Sequence, residues 1–127
     1  MTKKVLIVED DLLNRMFYNA VFESRGYEIS MVDDGAVVMD EVDRFHPDVI
    51  TMDIQLPHVS GRRLIRKLRR KAETKDIPIL AITAFAGKRD EEDIRRAGAG
   101  GYLAKPLSIE RLLSEVDALL AEPAVAH

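Results

Sequence analysis

Carboxylates gather where short apolar runs stop. The run Val5 to Val8 passes directly into Glu9, Asp10 and Asp11, and the run Val49 to Met52 into Asp53. The run Ile77 to Ile82 ends in Thr83, and Gly101 to Ala104 in Lys105, which is followed by Pro106. Acidic strand ends sharing one crevice repel each other unless a cation lies between them, and hard oxygen ligands of this kind suit Mg²⁺. A hydroxyl and an ammonium at the same edge would contact phosphoryl oxygens while the metal neutralises charge. A carboxylate is the only nucleophile at the centre of such a site, and in-line attack on phosphorus needs positioning and neutralisation more than a general base.

The elements that must hold these residues follow from the hydrophobic pattern. Apolar runs at Lys4 to Val8, Glu28 to Val32, Val49 to Met52, Ile77 to Ile82 and Gly101 to Ala104 alternate with segments of helical period. Three of the runs are almost wholly apolar, as strands of a parallel sheet covered on both faces are. Leu13, Met16, Phe17, Ala20 and Val21 predict the buried stripe of a first helix, with Asp11 as its cap and Gly26 beyond its end. Val37, Val38, Val42 and Phe45 predict a second helix ended by Pro47, and Ser60 caps a third carrying Leu64, Ile65 and Leu68 inward. A fourth places Asp90 to Asp93 early and Arg95 and Arg96 late, matching the helix dipole, and stops at Gly98. The fifth runs from Ser108 to about Ala121 before Pro123. Five strand–helix units predict an α/β fold with helices on both faces of a five-stranded parallel sheet. Of the competing strand orders, the doubly wound 2-1-3-4-5 suits five such units and puts the working crevice at the carboxyl ends of the strands.

Composition narrows the function classes. The 127 residues fit one domain. No cysteine is present, which removes disulfides, thiolate metal sites and cysteine nucleophiles. No apolar stretch approaches a membrane span, and the N-terminus shows no signal-peptide pattern, so the expected location is cytoplasmic. A net charge of -3 gives no global basic field for DNA.

Glu9-Asp10, Asp53, Thr83-Ala84 and Lys105-Pro106, with Gly61 after the third strand and Tyr102 before the lysine, resemble the receiver domain of bacterial two-component response regulators. The resemblance spans residues 4 to 121, leaving 122 to 127 as a short tail, and KKVLIVED, MDIQLP and AITAFA are similar in particular to stand-alone cell-cycle regulators of the DivK type. It implies a flavodoxin-like, CheY-like fold, with Asp53 as phosphoacceptor. It further implies Mg²⁺ held by Asp10, Asp53 and the backbone carbonyl of Gln55, with Glu9 acting through water. Lys105 and Thr83 would bind the phosphoryl oxygens, Tyr102 would turn inward as Thr83 moves, and the Lys105–Pro106 bond would be cis. Gln55 and Phe85 occupy places that govern water's access to the phosphoryl group, and the apolar Phe85 is expected to shield it.

The function so implied is phosphorelay signalling. A histidine kinase or histidine phosphotransfer protein would supply the phosphoryl group, and the product would be a signal, with no turnover enzymology beyond self-limited dephosphorylation. With only the tail after the last helix, output would be a protein contact on the face of the fourth helix, fifth strand and fifth helix, around Ile94, Tyr102 and Leu107, without direct DNA or membrane binding. The chain would be a monomer or a phosphorylation-dependent dimer. Three other readings compete: a receiver-like binding module that is never phosphorylated, a Mg²⁺-dependent phosphohydrolase, and a flavodoxin-type FMN carrier. The hydrolase favours an acid two residues after the nucleophile, where Gln55 stands, and the carrier needs an amide-rich first loop where acids stand.

Two features lie outside this motif. Tyr18 and Phe22, four apart on the first helix, fall off its predicted stripe and are expected to face a neighbouring helix or solvent, in the latter case as a docking surface. Arg62, Arg63, Arg66, Lys67, Arg69, Arg70 and Lys71 make the third helix strongly basic, which is ordinarily a solvated face. His46, His58 and His127 lack metal-ligand spacing.

Overall fold

The computed structural model describes residues 2–84 and 87–121. Five parallel strands, β1 (Lys4–Val8), β2 (Glu28–Val32), β3 (Val49–Asp53), β4 (Ile79–Thr83) and β5 (Gly101–Ala104), form one sheet in the order 2-1-3-4-5. The connecting helices are α1 (Leu12–Ser24), α2 (Val38–Phe45), α3 (Gly61–Arg70), α4 (Lys88–Ala97) and α5 (Ile109–Ala121). Fold class and strand order are those expected. The tail at 122–127 and Phe85 lie outside the described residues.

Alternation along the strands builds two cores. Val5 and Ile7 of β1 point to one face, where they join Tyr18, Val21 and Phe22 of α1 and Leu112, Leu113, Val116 and Leu119 of α5. Leu6 and Val8 point to the other, with Val38 and Val42 of α2, Leu64, Ile65 and Leu68 of α3, and Ile94 of α4. Thus α1 and α5 cover one side of the sheet, and α2, α3 and α4 the other.

Helix ends follow the expected chemistry. The Asp11 carboxylate accepts the Asn14 N–H at 2.9 Å, Ser60 Oγ accepts that of Arg63 at 3.2 Å, and Ser108 Oγ accepts that of Arg111 at 3.1 Å. Strand β4 starts two residues later than expected, after Pro78, whose nitrogen has no proton for the ladder. Val37 belongs to a short 3-10 turn, Gly35–Val37, rather than to α2, and is 46% exposed. α2 ends because His46 adopts a left-handed conformation, φ 53°, before Pro47.

The buried face of α1 is rotated from the expected stripe: Val21 is buried as expected, and Tyr18 and Phe22 face the neighbouring helix α5, but Leu13, Met16 and Ala20 face solvent. Tyr18 and Phe22 are 2% and 0% exposed, whereas Leu13 and Met16 are 75% and 59% exposed. Apolar residues fall on two faces of this helix, so periodicity alone cannot choose between them. The face with a tyrosine and a phenylalanine removes more area from water, and the Phe22 ring also packs edge-on to Tyr27 at 5.1 Å. The aromatic pair is core, and the exposed stripe is Leu12, Leu13, Met16 and Phe17.

Gly61 lets α3 start directly against β3. Its N–H bonds to the Ile54 carbonyl at 3.1 Å, and a Cβ there would stand 2.8 Å from the Ile54 Cα and closer still to the Asp53 carbonyl. Neither backbone atom can yield without moving the end of β3. Gly61→Ala is expected to lower stability by about 1–3 kcal/mol, read as a fall in urea midpoint with unchanged slope.

Candidate functional site

Strand register assembles the site. Val8 of β1 pairs with Met52 of β3, so the next residues, Glu9 and Asp53, leave the sheet side by side. Both are buried, at 1% and 3% exposure, while Asp10 is exposed. One carboxylate oxygen from each of Glu9, Asp10 and Asp53 lies within 4.8 Å of the others. Thr83 and Lys105 arrive from the ends of β4 and β5, tied by a Lys105 N–H to Thr83 carbonyl bond of 2.8 Å. The Lys105–Pro106 peptide is cis.

Lys105 is the cation among these acids. Its ammonium stands 3.4 Å from Asp53 Oδ2 and 3.1 Å from Glu9 Oε1. Burial works to lower the lysine pKa, but the Asp53 and Glu9 carboxylates outweigh it and hold the pKa above the ordinary value. Glu9 is pushed up to about 7, first by burial and then by its contact with Asp53. Despite the nearby ammonium, Glu9 Oε1 is buried and completes no hydrogen bond. A single lysine therefore leaves an acceptor unsatisfied beside two more carboxylates, and a hard divalent cation fits that donor set.

The remaining contacts fix the loops around the acids. Asp53 Oδ1 accepts the Gln55 N–H at 3.0 Å, and Glu9 Oε2 accepts the Asp11 N–H at 3.1 Å. Arg15 donates from Nη1 to the carbonyls of Glu9 and Asp10, at 3.0 and 2.9 Å, clamping the turn from β1 into α1. The side chain of Gln55 donates to Thr83 Oγ1 at 2.5 Å and accepts the Ala84 N–H at 2.9 Å, joining the ends of β3 and β4. Tyr102 is half-buried on β5, packed against the core shared by α3 and α4. Among the described residues, Glu9, Asp10, Asp53, Gln55, Thr83 and Lys105 meet at one sheet edge, and Tyr102 sits beside it, three residues before Lys105.

Two contributors escape sequence reasoning. The Gln55 side chain gave no signal of bridging two loops, because that depends on β3 and β4 being neighbours. Arg15 was hidden because its partners are backbone carbonyls, which carry no side-chain signature.

Comparison with known proteins agrees with this geometry. The response regulator receiver domain family matches residues 5–117. The polar-differentiation response regulator DivK of Brucella ovis is 42% identical over 122 residues, covering 96% of this chain and 99% of that protein. The Brucella anthropi DivK is 40% identical over the same length. Among solved structures, the receiver domain of the sensor histidine kinase PA1611 from Pseudomonas aeruginosa is similar at TM-score 0.88 and 31% identity, over 96% of this chain and 100% of that one. It was crystallised with a magnesium ion coordinated in its active-site cleft. The chemotaxis protein CheY4 of Vibrio cholerae matches at TM-score 0.88 and 27% identity, over 94% of this chain and 99% of the other. With the sheet order, the acidic edge and these relatives in agreement, the chain belongs to the response regulator receiver domain family.

Proposed function

We propose that this receiver takes a phosphoryl group from a phosphohistidine onto Asp53 and signals through protein contacts, as a single-domain member of a phosphorelay. The observation that carries the reading is the Lys105 ammonium set against both Asp53 and Glu9 at a buried sheet edge. In the transfer, the imidazole N–P bond breaks as an Asp53 O–P bond forms, and the imidazole leaves. Asp53 needs no general base, since a carboxylate attacks without losing a proton.

The chain's own groups position and neutralise. Lys105 offsets charge on the phosphoryl oxygens, and the Thr83 hydroxyl donates to one of them. Asp10, Asp53 and the Gln55 carbonyl would hold Mg²⁺, with Glu9 reaching it through water. When bound, the ion neutralises negative charge on phosphorus-bound oxygens and on the acid cluster. Phosphorylation would draw Thr83 from its Gln55 contact and let Tyr102 turn inward, shifting a pre-existing equilibrium on the α4–β5–α5 face toward the form its protein target binds. Gln55 stands where a hydrolase would favour an acid, which fits slow self-limited dephosphorylation rather than turnover.

The phosphodonor must bring an imidazole to Asp53, so it docks beside that residue. The exposed stripe Leu13, Met16 and Phe17 borders a groove of about 310 Å³ lined by Asn14, Phe17, Tyr18, Lys105, Pro106 and Leu107. A continuous apolar helix face next to Lys105 fits an apolar helix of a histidine kinase or phosphotransfer protein.

Three measurements test this reading. With acetyl phosphate and Mg²⁺, intact mass should show one base-labile phosphoryl adduct that is absent in Asp53→Asn. No adduct in the parent chain would leave a pure binding module, and rapid turnover of many phosphate esters would make it a hydrolase. Leu13→Asp with Met16→Asp should slow transfer from a phosphohistidine donor protein by about tenfold or more while labelling by acetyl phosphate is unchanged. The folded Glu9 pKa, about 7, lies above its unfolded value, so folding loses stability as pH rises toward and through 7 without metal. In chelator, Glu9→Gln should therefore melt several degrees above the parent at pH 8 and level with it near pH 5. Millimolar MgCl₂ should raise the parent's melting temperature more than the variant's.

A further inference from the structure

Helix α3 is charged beyond what its packing uses. From Gly61 to Lys71, seven of eleven residues are cationic and none is anionic, in a chain whose net charge is -3. Three of the seven have structural employment or partial cover. Arg69 donates to the carbonyls of Gly98, Lys75 and Ile77, at 2.9, 3.1 and 2.7 Å, tying α3 to the end of α4 and the start of β4. Lys71 pairs with Asp43 of α2 at 3.3 Å, and Arg62 is half-buried. Arg63, Arg66, Lys67 and Arg70 remain, all exposed and none in an ion pair among the described residues. Their spacing of three, four and seven puts them on one helix face.

This arrangement opposes the helix's own stability. Like charges three and four apart each destabilise by about 0.2–0.5 kcal/mol, and arginines in the first turn face the positive end of the dipole. The contrast with α4 is direct: Arg95 pairs with Glu91 at 2.8 Å and Arg96 with Asp93 at 3.3 Å. An anionic partner on α3 would turn the repulsion into attraction, and guanidinium groups bind carboxylates in a forked, two-bond geometry.

The surroundings select the kind of anion. The apolar residues of α3, Leu64, Ile65 and Leu68, are 1% exposed or less, so nothing on this face enters a bilayer. It carries no aromatic ring on which a base could stack. The helix packs between α2, with exposed Asp40 and Asp43, and α4, with exposed Glu92. Exposed Lys88, Arg89, Arg95 and Arg96 accompany Glu92 on α4, so the acidic flank is α2: a long duplex or a flat anionic membrane would have to lie across Asp40 and Asp43, whereas a short segment fits along the cationic ridge alone. We propose that the Arg63, Arg66, Lys67 and Arg70 face of α3 docks a short acidic segment of a partner protein, at a surface separate from the phosphoacceptor site.

Fluorescence anisotropy of a labelled decaglutamate peptide, titrated with the full chain at low salt, tests this. The peptide should bind, and the triple variant Arg63→Glu, Arg66→Glu, Arg70→Glu should weaken binding by about tenfold or more. Lys88→Glu with Arg89→Glu on α4 should change it less than twofold. The triple variant should melt no lower than the parent and be labelled equally by acetyl phosphate, which separates lost docking from lost folding and from failure of the phosphoacceptor reading. Absence of binding, equal weakening by both variants, or tighter binding to duplex DNA or phosphatidylserine vesicles would overturn the proposal. So would sedimentation showing a dimer that the triple variant dissolves, since the occupant would then be a second copy.

Discussion

Two carboxylates buried side by side set the terms for everything at the carboxyl edge of the sheet. Glu9 and Asp53 follow the register pair Val8 and Met52, so the sheet that gives the molecule its core also forces these two acids together. Burial alone would favour protonating one of them, which is the direction in which Glu9 moves. Lys105 answers from two strands away, its ammonium reaching both. The compensation is incomplete, because Glu9 Oε1 still lacks a hydrogen bond. A site left short of positive charge is stabilised by an added cation, and this ties the acid pair to metal binding.

The same edge couples binding to shape through short, local links. Gln55 follows Asp53 by two residues, accepts the Ala84 N–H and donates to Thr83 Oγ1. Asp53 in turn accepts the Gln55 N–H. Asp53 and Thr83 are therefore linked through the backbone and side chain of one residue, Gln55. Tyr102 sits one strand further on, opposite Ala81 in the register and against the α3–α4 core. Asp53 and Tyr102 are thus two strand spacings apart, with Thr83 on the strand between them.

Much of this was legible in the sequence because strand ends and functional residues coincide. Each apolar run announces its own termination, and Asp53, Thr83 and Lys105 stand at those terminations. Two caps were legible for the same reason: Asp11 and Ser60 act on N–H groups three residues away. What could not be read depends on neighbours far along the chain. The inward side of α1 is one such case, because Val21 belongs equally to a stripe with Leu13, Met16 and Phe17 and to one with Tyr18 and Phe22. Only packing against α5 and β1 separates them. The Gln55 bridge and the Arg15 clamp were invisible because a residue's partners across a sheet, or on a backbone, leave no trace in its own identity.

The side that α1 buries changes what the surface means. Had Tyr18 and Phe22 been outside, α1 would present a small aromatic patch over a conventional core. Instead α1 presents an aliphatic stripe beside Lys105, and α3 presents a row of cations on the opposite side of the sheet. The two surfaces differ in chemistry as well as position. Apolar association at α1 would depend weakly on salt and sit beside Lys105, whereas charge pairing at α3 would be screened by salt and directed by geometry. Because the sheet separates them, a phosphodonor on α1 would not displace an acidic segment on α3, and both could be engaged on one small domain at once.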